Sequence, residues 1–384
     1  MLQAYATQRI LDEAGIANET LDISRINTRI RMGKLRYYIM NLFNLQMYRA
    51  KKGFVRLAVK KKCDRTFRNQ AQVRSNAFRQ FRNACFHLSP AYRSFRDLTG
   101  ACSGYSDILV GSDQLWLPVN IEANYYTLAF VPEKVNKLAY ATSFGVSRIP
   151  PGQTRKARKF LKRIEHISVR EQTGQKIVEE LTGRKVPIVC DPTLLFTGEQ
   201  WLTVQKEDPA VKQPYIFCYF LGSNAAHREF ANSLKKKTGM QIVVLRHLDE
   251  YIPSDNAFGD ISPFDIGPSE FLNLIRNAAF VCTDSFHGTA FSILYRKTFF
   301  TFRRFRKAGN QSTNHRIESL LAMLDLSDRL ISGNEKPEDC LNKTIDYDFV
   351  LDKLGTLRKN SVAFLFDALE AGGCVEYDNN PGKV

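Results

Sequence analysis

A histidine and an aspartate share one short polar loop in the segment Thr283-Asp284-Ser285-Phe286-His287-Gly288. Because histidine titrates near neutral pH, His287 can deliver a proton as a general acid. Asp284 lies three residues earlier on the same loop, where its carboxylate could orient the imidazole. A helical pattern follows the loop, and the free N–H groups at the start of a helix favour an anion. These residue types predict an anion-binding site with a proton donor beside it.

The elements around this loop would place it at the edge of a sheet. An apolar run that includes Val281 and Cys282 precedes the loop, and a helical pattern runs from Thr289 to Tyr295. The run 298–302 after that helix is strand-like. In a parallel α/β sheet, a loop between a strand and a helix lies at the carboxyl end of the strand, where ligands bind.

The chain repeats one unit from about residue 105 onward: an apolar run that ends in a polar or glycine-containing loop. Helical patterns separate several of these runs, which is the βαβ signature of an α/β fold. A charged, proline-bearing stretch at 206–214 interrupts the repeat. The runs are 107–110, 138–141, 166–169 and 187–190 before the interruption, and 215–222 and 242–245 after it.

This pattern predicts two main domains. We expect an N-terminal domain at 1–208, with a basic helical insertion at about 20–100, and a second domain at 209–345 that carries His287. Residues 346–375 are predicted to form C-terminal helices that could pack back on the first domain, and 376–384 a tail.

The composition is that of an ordinary globular protein, with 384 residues, 44% hydrophobic and 24% charged. No apolar run approaches the roughly 18 residues that span a bilayer, and the amino terminus lacks the features of a secretory signal. The eight cysteines are scattered without a CxxC pair, which favours reduced thiols and a cytoplasmic location. The histidines show no HxH or HExxH spacing, so we expect neither a metal nor another cofactor.

The net charge of +16 is concentrated in residues 51–82, where Asp64 is the single acid. Nucleic acid, the anionic inner face of a membrane and a phosphorylated substrate are the candidate partners. A solvated helical face is an equally good interpretation. Nucleic acid is disfavoured, because the sequence shows no RRM, KH, helix-turn-helix or zinc-finger pattern.

Six short motifs, taken in order, resemble the motif series of the polysaccharide pyruvyl transferases over about residues 1–330. The resemblance implies two Rossmann-like domains that face each other across a cleft, as in GT-B glycosyltransferases. It also implies transfer of pyruvate from phosphoenolpyruvate to a sugar, usually as a ketal. The motifs are Gly111-Ser112-Asp113-Gln114-x-Trp116, Ser143-Phe144-Gly145, Ser168-Val169-Arg170-Glu171-x-x-Gly174, Asp191-Pro192-Thr193, Gly267-Pro268 and Thr283-Asp284-Ser285-Phe286-His287-Gly288.

One departure concerns the amino terminus. Members of the family usually begin with a strand and a glycine-containing loop, whereas this chain begins inside the helix that follows them. We therefore expect the first N-terminal strand to be missing, as in a truncated or misassigned form of the chain.

The resemblance implies a catalytic pair, His287 as general acid and Asp284 beside it. Arg170 would hold the oxyanions of phosphoenolpyruvate, or alternatively form a surface ion pair with Glu171. Trp116 would be a stacking platform for a sugar ring or a core residue. The predicted substrate-binding residues are Arg170, Ser285, Gly288, Thr289, Ser143, Gly145, Asp113, Gln114, Trp116 and Arg316.

The sequence thus predicts a cytoplasmic, metal-independent pyruvyl transferase at the inner face of the membrane. Its donor would be phosphoenolpyruvate, and its acceptor a sugar of a cell-surface polysaccharide or the lipid-linked glycan precursor. Two alternatives stay open: a glycosyltransferase that uses a nucleotide sugar, since a fold does not fix a function, and a non-catalytic anion-binding protein.

Overall fold

The computed structural model describes residues 1–41, 45–208, 211–247, 250–304 and 314–370, with the side chains of 45–52 and 54 outside the description. The amino-terminal part is helical, as predicted for residues 20–100. The helices are α1 (Leu2–Glu13), α2 (Asn27–Met40), α3 (Leu45–Cys63), α4 (Arg65–Cys85) and α5 (Phe95–Cys102).

The elements of a first parallel sheet follow: β1 (Asp107–Gly111), α6 (Pro118–Ala123), β2 (Asn136–Thr142), α7 (Thr154–Arg163), β3 (His166–Val169) and α8 (Gln172–Thr182). The strand order is β1-β2-β3. Gly183 follows the last residue of α8, and its φ of +75° is the left-handed conformation that glycine adopts after a helix C-terminus.

A second sheet has five parallel strands in the order β5-β4-β6-β7-β8. Its strands alternate with helices along the chain, so each connection is a crossover of the βαβ type. The elements are β4 (Tyr215–Tyr219), α9 (Ala225–Thr238), β5 (Gln241–Val244), α10 (Pro268–Arg276), β6 (Phe280–Thr283), α11 (Phe286–Leu294), β7 (Thr298–Phe302), α12 (His315–Met323), β8 (Leu330–Ile331), α13 (Pro337–Leu341) and α14 (Tyr347–Glu370).

The predicted fold class, α/β with two Rossmann-like units, is therefore confirmed. The domain limits stay a prediction. The predicted tail at 376–384 lies outside the described residues.

One predicted strand is wrong, because residues 187–190 form only an isolated parallel bridge between Ile188 and Val169 of β3. The bridge consists of the Val189 N–H donating to the Val169 carbonyl at 2.9 Å and the Val169 N–H donating to the Pro187 carbonyl at 3.1 Å. The Cys190 N–H points to the other side of the run, where it donates to the Ser361 hydroxyl of α14 at 2.9 Å. The last helix therefore covers this edge of the first sheet.

Buried apolar side chains from both sheets and from α1 and α14 form one continuous core, which includes Tyr140 of β2 and Phe217 of β4. No helix in the described ranges is long and apolar enough to cross a membrane. The described cysteines are all free. Within the same ranges, no cluster of three or more His, Cys, Asp or Glu side chains could hold a metal ion.

Candidate active site

A cavity of about 630 Å³ lies where the carboxyl ends of strands from both sheets meet. Loops after β1, β4, β5, β6 and β7 contribute to its wall, which is the position where ligands bind in open α/β sheets. Helices α3 and α4 close another side. The lining residues are Met1, Leu2, Gln3, Lys61, Ala71, Arg74, Ser75, Phe78, Asp113, Gln114, Tyr219, Leu221, Leu245, Arg246, His247, Ile266, Gly267, Pro268, Phe271, Ser285, Phe286, His287, Arg304 and Arg316.

The start of α11 brings His287 to this cavity. The Ser285 hydroxyl accepts a hydrogen bond from the Gly288 N–H at 3.3 Å and so caps the helix. A Cβ on Gly288 would come within 2.5 Å of the Thr283 hydroxyl, so the turn from β6 into α11 needs glycine there. Ser285 and His287 both line the cavity, with the helix N-terminus between them.

The His287 imidazole lies beside the carboxylate of Asp191. Nε2 of His287 lies 3.8 Å from Oδ1 of Asp191, and this nitrogen is buried without a hydrogen-bond partner. Burial lowers the pKa of His287, while the charges of Asp191 and Asp113 oppose that change. An anion placed at the cavity wall would act in the same direction as these carboxylates and favour the protonated imidazole.

Asp191 is held in place by several hydrogen bonds. The Thr193 backbone N–H and hydroxyl donate to its Oδ1 at 3.0 and 2.8 Å. The Ser112 hydroxyl and the Arg170 guanidinium donate to Oδ2. Although burial alone would raise the pKa of Asp191, the charges of Arg170 and His287 and these hydrogen bonds lower it. A buried, ionised carboxylate therefore stands beside the imidazole.

Arg170 joins the loops of the first sheet rather than the cavity wall. Its guanidinium lies 2.5 Å from Asp191 Oδ2, 3.1 Å from Asp113 Oδ1 and 3.9 Å from Glu171 Oε2. It also stacks on the Phe286 ring, 4.5 Å from the centroid. Despite its burial the pKa of Arg170 is raised, chiefly by Asp191. The predicted surface pair with Glu171 is wrong, since both side chains are 1% exposed.

Arg316, at the start of α12, is the arginine of this cluster that reaches the cavity. Its Nη1 lies 3.7 Å from Asp113 Oδ1, and its guanidinium carbon lies 5.9 Å from the Phe286 centroid. Its buried Nε has no hydrogen-bond partner. Burial and the charge of Arg170 lower the pKa of Arg316 to about 9, so the group is still charged at neutral pH.

Asp284 does not orient the imidazole, contrary to the sequence prediction. Its carboxylate accepts the backbone N–H groups of Leu221 at 2.6 Å and Gly222 at 2.9 Å, in the loop after β4. Arg304 donates to the Asp284 carbonyl at 2.9 Å. The side chain therefore ties β6 to the neighbouring strand, and Asp191 takes the position beside the histidine.

Trp116 is a core residue, so the prediction that it is a stacking platform for a sugar ring is wrong. It is 0% exposed, its indole N–H donates to the Tyr126 carbonyl at 2.9 Å, and it packs on Phe144 and Phe160 at centroid distances of 5.0 and 5.3 Å. A ring enclosed in this way has no face for a sugar.

Some of the remaining predicted residues line the cavity, and others are buried behind it and hold its loops in place. Asp113 and Gln114 line the cavity, and the buried Nε2 of Gln114 has no hydrogen-bond partner. Three others are inside the protein and shape the loops. They are Ser143, whose hydroxyl accepts the Gly145 N–H at 3.1 Å, Gly145 itself with φ +60°, and Thr289, whose hydroxyl donates to the Ser285 carbonyl at 3.0 Å.

The part of the cavity wall away from His287 carries basic residues that the sequence analysis did not assign to the site. Arg246 and Arg304 line it, and the buried Nε of each lacks a hydrogen-bond partner. Lys61 of α3 lines it as well. Arg74 of α4 donates to the carbonyls of three residues in 246–264, which fixes α4 over the cavity. Only the density of basic residues in 51–82 and 303–307 could have indicated this half.

Two parallel sheets flanked by helices, with His287 and an arginine cluster at a helix N-terminus beside the cavity, define an α/β protein of the Rossmann-like class. The family comparison is more specific, because residues 1–304 match the polysaccharide pyruvyl transferase model. The chain belongs to the polysaccharide pyruvyl transferase family. The comparison with curated proteins gives no significant match.

The solved structures that match this chain include two epimerases. The UDP-GlcNAc 2-epimerase from Neisseria meningitidis bound to UDP-GlcNAc is 14% identical, with 71% of this chain and 80% of that chain covered and a TM-score of 0.40. A putative UDP-N-acetylglucosamine 2-epimerase from Listeria monocytogenes is 13% identical, with 72% and 81% covered and a TM-score of 0.46.

Proposed function

We propose that this protein transfers the pyruvyl group of phosphoenolpyruvate to a sugar of a cell-surface polysaccharide, with His287 as general acid. The observation that carries the proposal is the set of unpaired donors around the start of α11. His287 Nε2, Arg316 Nε and Gln114 Nε2 are buried at the cavity wall without hydrogen-bond partners. Buried donors without partners are costly, and an anion with several oxygens would satisfy them.

The donor fits this half of the cavity by its chemistry. Phosphoenolpyruvate has a phosphate and a carboxylate, for which Arg316 and the N-terminus of α11 provide a guanidinium and backbone N–H groups. Arg170 would act through Asp113 and Asp191, since its own Nη atoms already donate to these carboxylates. We therefore assign Arg170 a positioning role and Arg316 direct contact with the donor.

The chemical step needs one proton. His287 donates it to the methylene carbon of phosphoenolpyruvate, and a sugar hydroxyl adds to the neighbouring carbon, which keeps the phosphate at first. A second hydroxyl of the same sugar then displaces inorganic phosphate and closes the ketal, and the two hydroxyl protons leave to the solvent and to the imidazole. Asp191 stabilises the imidazolium form through its charge.

The acceptor would occupy the other half of the cavity. Tyr219 and Phe271 form an edge-to-face pair there, with centroids 5.3 Å apart, and both line the wall. Aromatic faces of this kind suit a sugar ring. Arg246 and Arg304 beside them offer unpaired donors to a phosphate, such as the one that links a glycan to a lipid carrier.

The test is incubation with phosphoenolpyruvate and a panel of glycans, soluble and lipid-linked, followed by mass spectrometry for added pyruvate and an assay for phosphate. We expect His287→Gln to reduce turnover by at least about 100-fold, the usual scale for a lost general acid. His87→Gln is the matched control, since the His87 side chain is 63% exposed. Nucleotide release from a nucleotide sugar, without pyruvate transfer, would instead identify a glycosyltransferase.

A further inference from the structure

Helix α2 has an apolar face that points away from the protein. The helix packs on α6 through its opposite side, where Ile30 and Tyr37 are buried and a Cβ on Gly33 would come within 2.7 Å of the backbone of Ala123. Met32, Leu35 and Ile39 share the outer side at helical spacing, with exposures of 60%, 48% and 56%. A row of exposed large apolar side chains of this kind marks an interaction surface.

The segment of sequence that carries this face has charges of one sign. No Asp or Glu occurs between Asp22 and Asp64, in which interval the basic residues are Arg25, Arg29, Arg31, Lys34, Arg36, Arg49, Lys51, Lys52, Arg56, Lys60, Lys61 and Lys62. Arg36 pairs with Glu122 of α6 at 3.6 Å. Positive charge is therefore crowded along the helix that exposes the apolar row.

Helix α3 also exposes apolar side chains, and its C-terminal end lies at the cavity. Val55 and Val59 of α3, four residues apart, are 62% and 54% exposed. Lys61, near the end of the same helix, lines the cavity. The described end of α3 thus combines exposed apolar residues with a lysine at the cavity wall.

We infer that α2 and the end of α3 bind an anionic bilayer surface, with the apolar rows in the interface and the arginines and lysines at the lipid head groups. Helices that lie on membranes combine exposed apolar residues with flanking basic ones, and the cytoplasmic leaflet carries the anionic lipids that attract them. Resting on the proposed function, this docking would present the cavity to a lipid-linked acceptor. Docking itself requires no catalysis.

Sedimentation with vesicles of equal parts phosphatidylcholine and phosphatidylglycerol tests the inference. We expect the chain to bind these vesicles, and to bind pure phosphatidylcholine vesicles far more weakly. The variant Met32→Ser, Leu35→Ser, Ile39→Ser should lose at least about tenfold in partitioning, since burial of each side chain is lost. Replacing Arg29 and Arg31 by Gln should weaken binding about fivefold per residue at low salt.

Phe349→Ser is the matched control, because Phe349 is 50% exposed on α14. Unchanged thermal unfolding of each variant establishes that it folds. Equal vesicle binding by the wild type and the triple variant would overturn the inference. A second set of results would also overturn it: no vesicle binding, a wild-type dimer in light scattering, and a monomeric triple variant. These results would show that a second copy of the chain covers the apolar face. Pyruvyl transfer to a soluble glycan reports separately on the proposed function.

Discussion

The assignment of Asp191 rather than Asp284 as the partner of His287 leads to a sharp prediction. Both aspartates are buried, and both accept backbone N–H groups, so Asp→Asn at each position is a matched pair of changes. Only Asp191 has its carboxylate near the imidazole, 3.8 Å from Nε2. We expect Asp191→Asn to lower the pKa of His287 and Asp284→Asn to leave it unchanged.

The size of the effect follows from the distance. Two unit charges about 4 Å apart interact by about 4 kcal/mol at an effective dielectric constant of about 20. Arg170, at 2.5 Å from the other oxygen of Asp191, offsets part of this. Burial already lowers the pKa of His287, and the charge of Asp191 is the largest influence that raises it. Removing that charge favours the neutral imidazole, so activity that requires the protonated form is lost at a lower pH than in the wild type.

The assay is the pH profile of kcat/KM for phosphoenolpyruvate in the wild type and in both variants. The readout is the pH at which activity falls, and not the absolute rate. The rate could also fall because Asp191→Asn removes a buried partner of Arg170, and breaking such a pair can cost about 3 to 5 kcal/mol of stability. Urea unfolding of each variant measures that cost separately. A profile that moves to higher pH in Asp191→Asn, or that moves equally in Asp284→Asn, would refute the reasoning.

Other variants test single contacts. Gly288→Ala should cost about 1 to 3 kcal/mol in the free energy of unfolding, since its Cβ would meet the Thr283 hydroxyl at 2.5 Å; Gly152→Ala, with open space around it, is the control. Trp116→Phe should lower the melting temperature and leave the acceptor KM unchanged, as calorimetry and kinetics would show. Arg316→Gln should raise the calorimetric Kd for phosphoenolpyruvate about tenfold or more, by loss of a charged donor; an unchanged Kd would remove Arg316 from the donor site.

Local patterns were sufficient to predict the repeated α/β units, because each strand and helix has its own periodicity. The apolar run 187–190 has the same pattern as the other strands, yet it forms only one bridge, to β3. On its other side the Cys190 N–H donates to Ser361 of α14, which is 171 residues away in the sequence. A contact at such a separation leaves no trace in the periodicity of either segment, so the sequence could not show that a helix lies beside this run.

The sequence also predicted those site residues that local motifs place, but not the partner that comes from a distant part of the chain. His287 and Arg316 lie on the cavity wall because the motif and the helix start place them there. Asp284 was chosen as the partner of His287 from its position three residues earlier in the chain, but side chains at that spacing point to different neighbours when the first residue ends a strand and the second begins a helix. Asp191 comes from the other Rossmann-like unit, and only the way the two units meet brings it to the imidazole.

The donor half of the cavity is the part next to His287 and Arg316, and the buried charges around it nearly cancel. Arg170 and Arg316 are balanced by Asp113 and Asp191. Despite burial, the charge of Arg170 lowers the pKa of both carboxyls, and Arg316 also lowers that of Asp113. Glu171 is buried beside them, and burial raises its pKa. Without an imidazolium, the cluster therefore has little net charge to offer a phosphate. In the proposed reaction, a proton on His287 supplies the missing positive charge, so binding of a polyanionic donor and protonation of the imidazole favour each other.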